Sequence, residues 1–163
     1  MTSTQKGLAR KLSAAEKRKL SQPGTQARFW QKVDKSGDCW TWKGWKAYGY
    51  GMCFVSGRNV RAHRIAYYLT RPNMDESLSV DHTCRNRACV NPAHMELVTM
   101  KENVLRGVGL TAQRARQTHC HKGHPLSGSN LGSTGQKHKY RRCKICYNAQ
   151  MRRLWAKSKL EAQ

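Results

Sequence analysis

The stretch Asp81–Met95 reads DHTCRNRACVNPAHM and carries the strongest chemical signal in the chain. It holds two cysteines, two histidines and an aspartate within fifteen residues. The cysteines and the second histidine have the spacing of a structural zinc site, which is normally closed and inert. The Asp81–His82 pair is instead typical of an ionisable, reactive centre. This one segment therefore predicts two kinds of site side by side.

The predicted zinc site takes three of its ligands from the run Cys84-x4-Cys89-x4-His94. A tetrahedral zinc ion needs a fourth nitrogen or sulfur ligand, which must come from elsewhere in the chain. Cys39 is favoured because it begins an upstream strand that could pair beside the hairpin holding the other three. Cys53 is the alternative, although its apolar neighbours favour a buried thiol.

The charge of the chain points to a polyanionic partner. Its 163 residues include 31 Lys and Arg against 9 Asp and Glu, a formal net charge of +22. Nucleic acid is the favoured partner, because each neutralised phosphate releases condensed counterions, and a membrane surface is the weaker alternative. No apolar run of about 18 residues could span a bilayer. We also find no signal peptide, so we expect an intracellular, cytoplasmic protein that is not secreted.

The chain divides into three parts by composition. Residues 1–28 form a polar, basic arm, expected to be flexible or marginally helical. Residues 29–107 alternate strand and helix signals: 39–55 predict two short antiparallel strands, and 61–69 predict a helix with an apolar stripe. Residues 108–163 hold a basic linker, a second cysteine cluster and a basic terminal helix. Seven cysteines, most of them clustered with histidines, favour metal over disulfides in a reducing compartment.

The segment that contains the deciding stretch predicts strand, loop, strand and helix. Residues 78–82 and 94–98 predict the two strands, and 99–107 predict the helix. Thr99 and Glu102 fit the capping box that begins such a helix.

The reactive pair has a plausible chemistry of its own. On a strand, His82 would point the same way as Cys84, so that zinc fixes the backbone that aims the histidine. Asp81 would point to the opposite face and could meet Asn103 of the following helix. Aspartate, asparagine, water and a phosphate oxygen form a typical magnesium environment, and a histidine of pKa about 6.5 can take a proton from water. The alternative is that His82 is a further zinc ligand in an inert DNA-binding knuckle.

The order Asp-His, central Asn91, final Asn103 on strand, loop, strand and helix resembles the ββα-metal motif of HNH endonucleases. The cysteine and histidine run also resembles the zinc-braced His-Cys box homing endonucleases. The upstream segments CWTWKG, GYG and RAHRIAYYL are similar to the N-terminal half of phage-type HNH proteins. The resemblance covers about residues 38–107.

The resemblance implies a division of labour among the site residues. His82 activates water, Asp81 and Asn103 hold one Mg²⁺, and Asn91 braces the loop. His-Cys box enzymes lack the acidic residue before the histidine, so Asp81 implies the ordinary HNH metal shell. The products would carry 5′ phosphate and 3′ hydroxyl ends. The implied fold class is α+β: a small ββα-metal core braced by structural zinc, then a second small zinc module and a basic terminal helix.

A second cluster predicts another structural zinc. Its Cys-x2-Cys half is a strong signal, whereas His124 is the weaker ligand because His119 and His121 could replace it. The segment has few large apolar residues, so a metal would supply the stability that it lacks. The predicted ligands are Cys120, His124, Cys143 and Cys146.

Several basic residues are predicted to contact DNA, chiefly through phosphates that position without specifying. His63 is equally explained as a packed helix histidine, and Arg61 as a solvated surface charge. In the terminal helix, Leu154 and Trp155 are expected to pack inward. The predicted contacts are Arg61, His63, Arg64, Arg141, Arg142, Arg152 and Arg153.

Two functions fit these features. The first is a Mg²⁺-dependent HNH DNA endonuclease of the homing or phage free-standing kind, braced by two zinc ions and acting on double-stranded DNA, in the host cytoplasm if it is phage-encoded. The alternative is a non-catalytic, zinc-containing DNA-binding regulator. Cutting both strands generally needs two active sites or two turnovers of one, which leaves a homodimer open.

Overall fold

The computed structural model describes residues 11–134 and 140–161. The chain forms two compact units, residues 1–103 and 104–163. The sequence predicts a boundary nearby, after residue 107.

The first unit mixes short helices with short antiparallel strands, which confirms the predicted α+β class. Its described strands pair as β1 with β2, β4 between β3 and β5, and β6 with β7. In chain order the elements are α1 (Ala14–Leu20), α2 (Pro23–Trp30), β1 (Val33–Asp34), β2 (Thr41–Trp42), β3 (Lys46–Ala47), β4 (Tyr50–Val55), β5 (Arg58–Arg61), α3 (Ala62–Thr70), β6 (Ser79–His82), a 3₁₀ turn (Pro92–His94), β7 (Met95–Val98) and α4 (Met100–Arg106).

Residues 11–28 are largely helical, the second of the two alternatives, flexible or marginally helical, that the sequence leaves open for this arm. Helix α1 begins with a complete capping box whose carboxylate comes from Glu16. The Glu16 side chain is buried and lies 3.2 Å from the Arg58 guanidinium, and Leu20 is fully buried. Tertiary packing of this kind stabilises helices that are too short to be stable alone. The helices are thus more firmly packed than a marginally helical arm, while residues 1–10 lie outside the described part of the chain.

The core of the first unit surrounds Trp42, which is almost fully buried. Gly51 lies against the indole, and a Cβ added there would come within 2.7 Å of the ring. No real Cβ contact is that short, so this position in the GYG segment requires glycine. Other buried apolar side chains in the core are Leu20, Phe29, Val55, Ile65, Val90 and Met95.

Strands β6 and β7 and helix α4 have the strand, loop, strand and helix order that the sequence predicts. In the register, Asp81 lies opposite Glu96, and His82 lies opposite Met95. The Glu102 carboxylate accepts the Thr99 N–H at 2.9 Å, which confirms the predicted capping box.

The loop after β6 departs from the prediction. Strand β6 ends at His82, and the Arg85 N–H then donates to the His82 carbonyl at 3.3 Å. The chain therefore turns before Cys84, and Arg85 adopts a positive φ of 57°. The prediction that His82 and Cys84 share one face of a strand is wrong, because there is no strand at Cys84.

The second unit contains a short helix, a hairpin and a long terminal helix. The prediction that its terminal helix packs Leu154 and Trp155 inward is wrong, because these side chains are 53% and 70% exposed. Among the described residues of the chain, none of the helices is long and apolar enough to cross a membrane. The elements are α5 (Leu110–Arg116), a 3₁₀ turn (Gly128–Asn130), β8 (Leu131–Thr134), β9 (Tyr140–Cys143) and α6 (Lys144–Glu161).

Candidate active site and metal centres

The first metal centre consists of Cys39, Cys84, Cys89 and His94, whose ligand atoms all lie within 4.8 Å of one another. The His94 Nδ1 atom is 3.6 Å from the Cys39 sulfur and 3.8 Å from the Cys89 sulfur. The sequence left Cys39 and Cys53 as alternatives, and the fold brings Cys39 to the cluster.

These separations fit a tetrahedral zinc ion. Zinc bonds of about 2.3 Å to sulfur and 2.1 Å to nitrogen place a sulfur and a nitrogen about 3.6 Å apart. The cysteines are all free thiols in this structure. Burial raises the pKa of the Cys89 thiol to about 12, so a bound cation is needed for this ligand to ionise near neutral pH. The cluster could therefore hold zinc.

Backbone pairing explains how Cys39 reaches the centre. Strand β2 runs beside the loop that joins β6 to β7. The Trp42 N–H donates to the Ala88 carbonyl at 2.9 Å, and the Val90 N–H donates to the Trp40 carbonyl at 2.7 Å. These two bonds hold the upstream segment, which starts at Cys39, against the loop that carries the other ligands.

Asn91 ties the two halves of the centre together. Its side-chain N–H donates to the Asp38 carbonyl at 2.8 Å, next to Cys39. Its side-chain oxygen accepts the Ala93 N–H at 3.0 Å and so caps the 3₁₀ turn that carries His94. These contacts are those of a bracing residue.

His82 is attached to the same centre through the backbone. Its Nε2 atom lies 3.0 Å from the Cys89 carbonyl oxygen. A carbonyl oxygen can only accept a hydrogen bond, so Nε2 carries the proton and Nδ1 is the basic nitrogen of the neutral ring. Cys89 thus offers its sulfur to the metal cluster and its carbonyl to His82. His82 lies outside the four-residue metal cluster.

The surroundings of His82 are aromatic and nearly closed. The ring lies 4.5 Å from the His63 ring and 6.2 Å from the Tyr50 ring, measured between centroids. Burial lowers the pKa of His82 below its ordinary value of 6.5, and the Cys89 hydrogen bond and the Asp81 charge oppose this shift. The imidazole is therefore neutral at pH 7 and able to accept a proton.

Asp81 lies beside His82 on β6, with its carboxylate mostly buried. A single nitrogen of Arg85 donates to both carboxylate oxygens, at 3.2 and 3.3 Å. Asn103 is half-buried on α4, the helix that completes the ββα order. Asp81 belongs to neither of the two His, Cys, Asp and Glu clusters found among the described residues.

Residues 60–105 match the HNH endonuclease family. The match spans α3, the β6–β7 hairpin and α4, so the predicted resemblance to HNH endonucleases is confirmed. The chain is also 33% identical over 103 residues to Protein 2.8 of Escherichia phage T7, covering 61% of this chain and 65% of the relative. It is 37% identical over 67 residues to Protein 7.7 of the same phage, covering 40% of this chain and 52% of the relative. The chain thus spans less than two thirds of either relative.

The predicted DNA contacts within the HNH segment differ in exposure. Arg64 is 3% exposed, and its guanidinium points to the carbonyls of Leu78 and Glu76, at 3.5 and 3.4 Å. Little of this side chain is exposed, and the DNA contact of Arg64 stays a prediction. His63 is also buried, as in the packed alternative, and its Nδ1 atom has no hydrogen-bond partner. Arg61 is half-buried, with its guanidinium 4.6 Å from the Tyr50 ring centroid.

The second metal centre lies beyond the HNH match. Cys120, His124, Cys143 and Cys146 place their ligand atoms within 4.8 Å of one another. The Cys120 and Cys146 sulfurs are 3.7 Å apart, close to the roughly 3.8 Å expected of two thiolates on one tetrahedral zinc. The fold therefore brings His124, rather than His119 or His121, to this cluster, which could also hold zinc.

The Arg141 side chain forms hydrogen bonds to backbone carbonyls within the second unit. Its guanidinium donates to the carbonyls of Arg114, Ala115, Gln117 and Leu126, at 2.8 to 3.2 Å. Three of these contacts share one nitrogen and the residue is exposed, so its predicted DNA contact stays a prediction.

The other predicted contacts of the second unit remain predictions. The Arg142 guanidinium lies over the Tyr147 ring at 3.5 Å. Arg152 and Arg153 are exposed on α6.

The sequence did not reveal three residues near the Asp81–His82 pair: Tyr50, Arg85 and Arg87. Arg85 contacts the Asp81 carboxylate, and the Tyr50 ring centroid lies 4.6 and 5.3 Å from the guanidinium groups of Arg61 and Arg87. The aromatic YGYG run and the arginines between the zinc cysteines were visible signals. Their proximity depends on Tyr50 of β4 meeting the loop between β6 and β7, which no local spacing encodes.

Proposed function

We propose that this protein is an HNH DNA endonuclease that hydrolyses phosphodiester bonds with His82 as general base. The observation that carries the proposal is the bond from His82 Nε2 to the Cys89 carbonyl. It supports an imidazole held in one orientation, with Nδ1 as the acceptor. A regulator that only binds DNA would have no use for an oriented, neutral histidine next to a buried aspartate.

The proposed reaction follows from that orientation. Nδ1 of His82 takes a proton from a water molecule as the water oxygen bonds to phosphorus. The bond between phosphorus and the 3′ oxygen breaks, and the 3′ oxygen takes up a proton from solvent, which leaves a 5′ phosphate and a 3′ hydroxyl. Because burial keeps His82 neutral near pH 7, the base is in its active form under ordinary conditions.

Asp81 and Asn103 are the residues that would hold a divalent cation. The Asp81 carboxylate already accepts two contacts from the cationic Arg85, so positive charge is accommodated beside it. One carboxylate and one amide oxygen suit Mg²⁺, which keeps water and phosphate oxygens as its other ligands. A bound cation would supply positive charge to the phosphate and to the leaving 3′ oxygen.

The two Cys and His clusters are proposed to have structural roles, because four ligands each leave zinc no open position. The net charge of +22 supports double-stranded DNA as the substrate. The relatives in phage T7 support a phage-encoded protein, and we propose that it acts on DNA in the host cytoplasm, as a free-standing or a homing enzyme.

The test of this proposal is cleavage of supercoiled plasmid by the full chain with Mg²⁺. His82→Ala is expected to lower the cleavage rate by at least about 100-fold, because the variant has no group to take the proton. DNA affinity, measured by fluorescence anisotropy, should change less than about threefold, since His82 is buried and faces the reaction rather than the DNA surface. Equal inactivity of the wild type and the variant, with DNA binding retained in both, would contradict the enzyme proposal.

One observation favours the alternative of a non-catalytic DNA-binding regulator. Asp81 is already paired with Arg85, as a carboxylate without a metal would be. A regulator predicts no change in Mg²⁺ binding when Asp81 is replaced by asparagine. The endonuclease predicts weaker Mg²⁺ binding, which calorimetry on the folded, zinc-loaded protein measures directly.

A further inference from the structure

The β3–β4 hairpin ends in a two-residue turn with an unusual sequence. Ala47 pairs with Tyr50, which leaves Tyr48 and Gly49 as the turn, with φ values of 52° and 82°. Two positive φ values are the mark of a type I′ turn, whose first position favours asparagine, aspartate or glycine. A bulky residue is strained at such an angle, and Tyr48 occupies it.

Nothing within the fold explains why this position is a tyrosine. The Tyr48 side chain is 92% exposed, and its hydroxyl has no hydrogen-bond partner among the described residues. The neighbouring β4–β5 hairpin uses the same kind of turn, with Ser56 and Gly57 at φ values of 48° and 79°. There the small Ser56 hydroxyl bonds to the Ala15 carbonyl at 3.2 Å, which gives that residue a structural purpose. An exposed aromatic residue at a strained φ, with no structural contact of its side chain to explain it, is a sign of function.

The hairpin tip is held next to the candidate active site. The Arg87 guanidinium donates to the Tyr48 carbonyl at 3.3 Å and lies 5.3 Å from the Tyr50 ring centroid. The Tyr50 ring is in turn 6.2 Å from the His82 ring. Arg87 itself belongs to the loop between the zinc cysteines, so the metal centre fixes the tip as well as the histidine.

The surface around the tip suits DNA. Trp45, also in this hairpin, is 61% exposed, and the adjacent Lys46 is exposed as well. Residues 39–74 contain no aspartate or glutamate. Exposed aromatic rings among basic residues stack on the bases of single strands, and side chains inserted into duplex DNA wedge between base steps, whereas basic residues alone contact phosphates.

We propose that the Tyr48 ring inserts into a groove of duplex DNA and stacks on a base step beside the scissile phosphate. The β3–β4 tip would thus set where the backbone lies relative to His82. This inference rests on the proposed DNA endonuclease function and adds a base contact to it. Side chains that wedge between bases partly unstack them and bend the duplex, which widens access to one phosphate.

The test compares two substitutions at the same position in the full, zinc-loaded chain. Tyr48→Asn removes the ring and supplies the residue that a type I′ turn prefers. It is expected to raise the melting temperature by roughly 2 to 6 °C and to weaken binding to a short DNA duplex by about 5- to 150-fold. Tyr48→Phe keeps the ring and should bind and cleave within about twofold of the wild type.

Melting by circular dichroism, binding by fluorescence anisotropy and plasmid cleavage with Mg²⁺ give three independent readouts. A more stable Tyr48→Asn protein with weaker binding and slower cleavage supports the inference, because lost folding cannot explain it. A Tyr48→Asn protein that binds and cleaves like the wild type overturns the inference alone, and so does a fall in its melting temperature. A wild-type protein that neither binds nor cleaves DNA overturns the proposed function together with the inference.

Discussion

At the scale of single residues, the Asp81 carboxylate contacts one positive charge, Arg85, and is proposed to bind a second, Mg²⁺. Arg85 contacts both carboxylate oxygens in this structure, and the proposed Mg²⁺ would use the same oxygens. The Arg85 side chain is about half exposed, so solvent screens its attraction and a cation can displace it. Arg85 is therefore best understood as the counter-ion of Asp81 before the cation binds.

Arg85→Ala is expected to lower the Mg²⁺ concentration needed for half-maximal cleavage, by roughly two- to fivefold, because it removes a competitor for Asp81. Titration of Mg²⁺ in the plasmid assay measures this shift. Arg18→Ala is the matched control: it removes the same charge from an exposed position on α1, and it should leave the titration unchanged. A higher Mg²⁺ requirement in Arg85→Ala would contradict this role.

Two arginines that look alike in sequence are expected to act differently. Arg64→Ala leaves carbonyls of the loop before β6 without their buried donor, so it should lower the free energy of unfolding by about 2 kcal/mol. Its DNA affinity, measured on the folded protein, should stay near that of the wild type.

Arg152→Ala, on the exposed face of α6, should have the free energy of unfolding of the wild type. It should bind DNA a few-fold more weakly, and its binding should depend less on salt concentration.

Denaturant unfolding and anisotropy at several salt concentrations separate these two effects. A large loss of DNA affinity in folded Arg64→Ala would instead show that Arg64 contacts DNA.

At the scale of elements, the zinc loop between β6 and β7 organises the site. It carries three ligands of the first centre, holds His82 through the Cys89 carbonyl, and presents Arg87 to the β3–β4 tip. Its shape depends on the fourth ligand, Cys39, which lies just before β2, the strand beside the loop.

Cys39→Ser is expected to lose about one of two bound zinc ions per chain, to melt at a lower temperature and to cleave DNA poorly. The reason is that a three-ligand site binds zinc weakly and no longer fixes the loop. Cys53→Ser is the matched control and should keep both ions, because Cys53 lies outside the cluster. Metal analysis of the folded proteins measures the zinc content; loss of an ion in Cys53→Ser instead would show that the wrong cysteine has been assigned.

The elements also show how far sequence could lead. Ligands close in the chain, such as Cys84, Cys89 and His94, were predictable because their spacing is a local property. The choice of Cys39 over Cys53 was not settled, because it depends on which strand lies beside the loop. The segment before residue 30 was predicted only as a flexible or marginally helical arm, because the stability of its helices comes from burial of Leu20 and Phe29 in a core assembled much later in the chain.

At the scale of the whole molecule, charge predicted the kind of partner but not the residues that meet it. The excess of Lys and Arg is distributed over both units, and composition cannot separate arginines that face solvent from those that bond to carbonyls. Arg64 and Arg141 are of the second kind. The residues around His82 were likewise beyond the sequence, because Tyr50 and Arg87 meet there only once the sheets are assembled.

Cys89 has two contacts that would make the proposed cleavage reaction depend on the zinc available in the cell. The same residue gives its sulfur to the first cluster and its carbonyl to the histidine. In a chain synthesised without zinc, or one whose thiols have been oxidised, the Cys89 carbonyl would no longer hold the His82 ring in its orientation, although His82 itself is unchanged. Under the proposed function, such a chain would not cleave DNA until its thiols are reduced and zinc binds again.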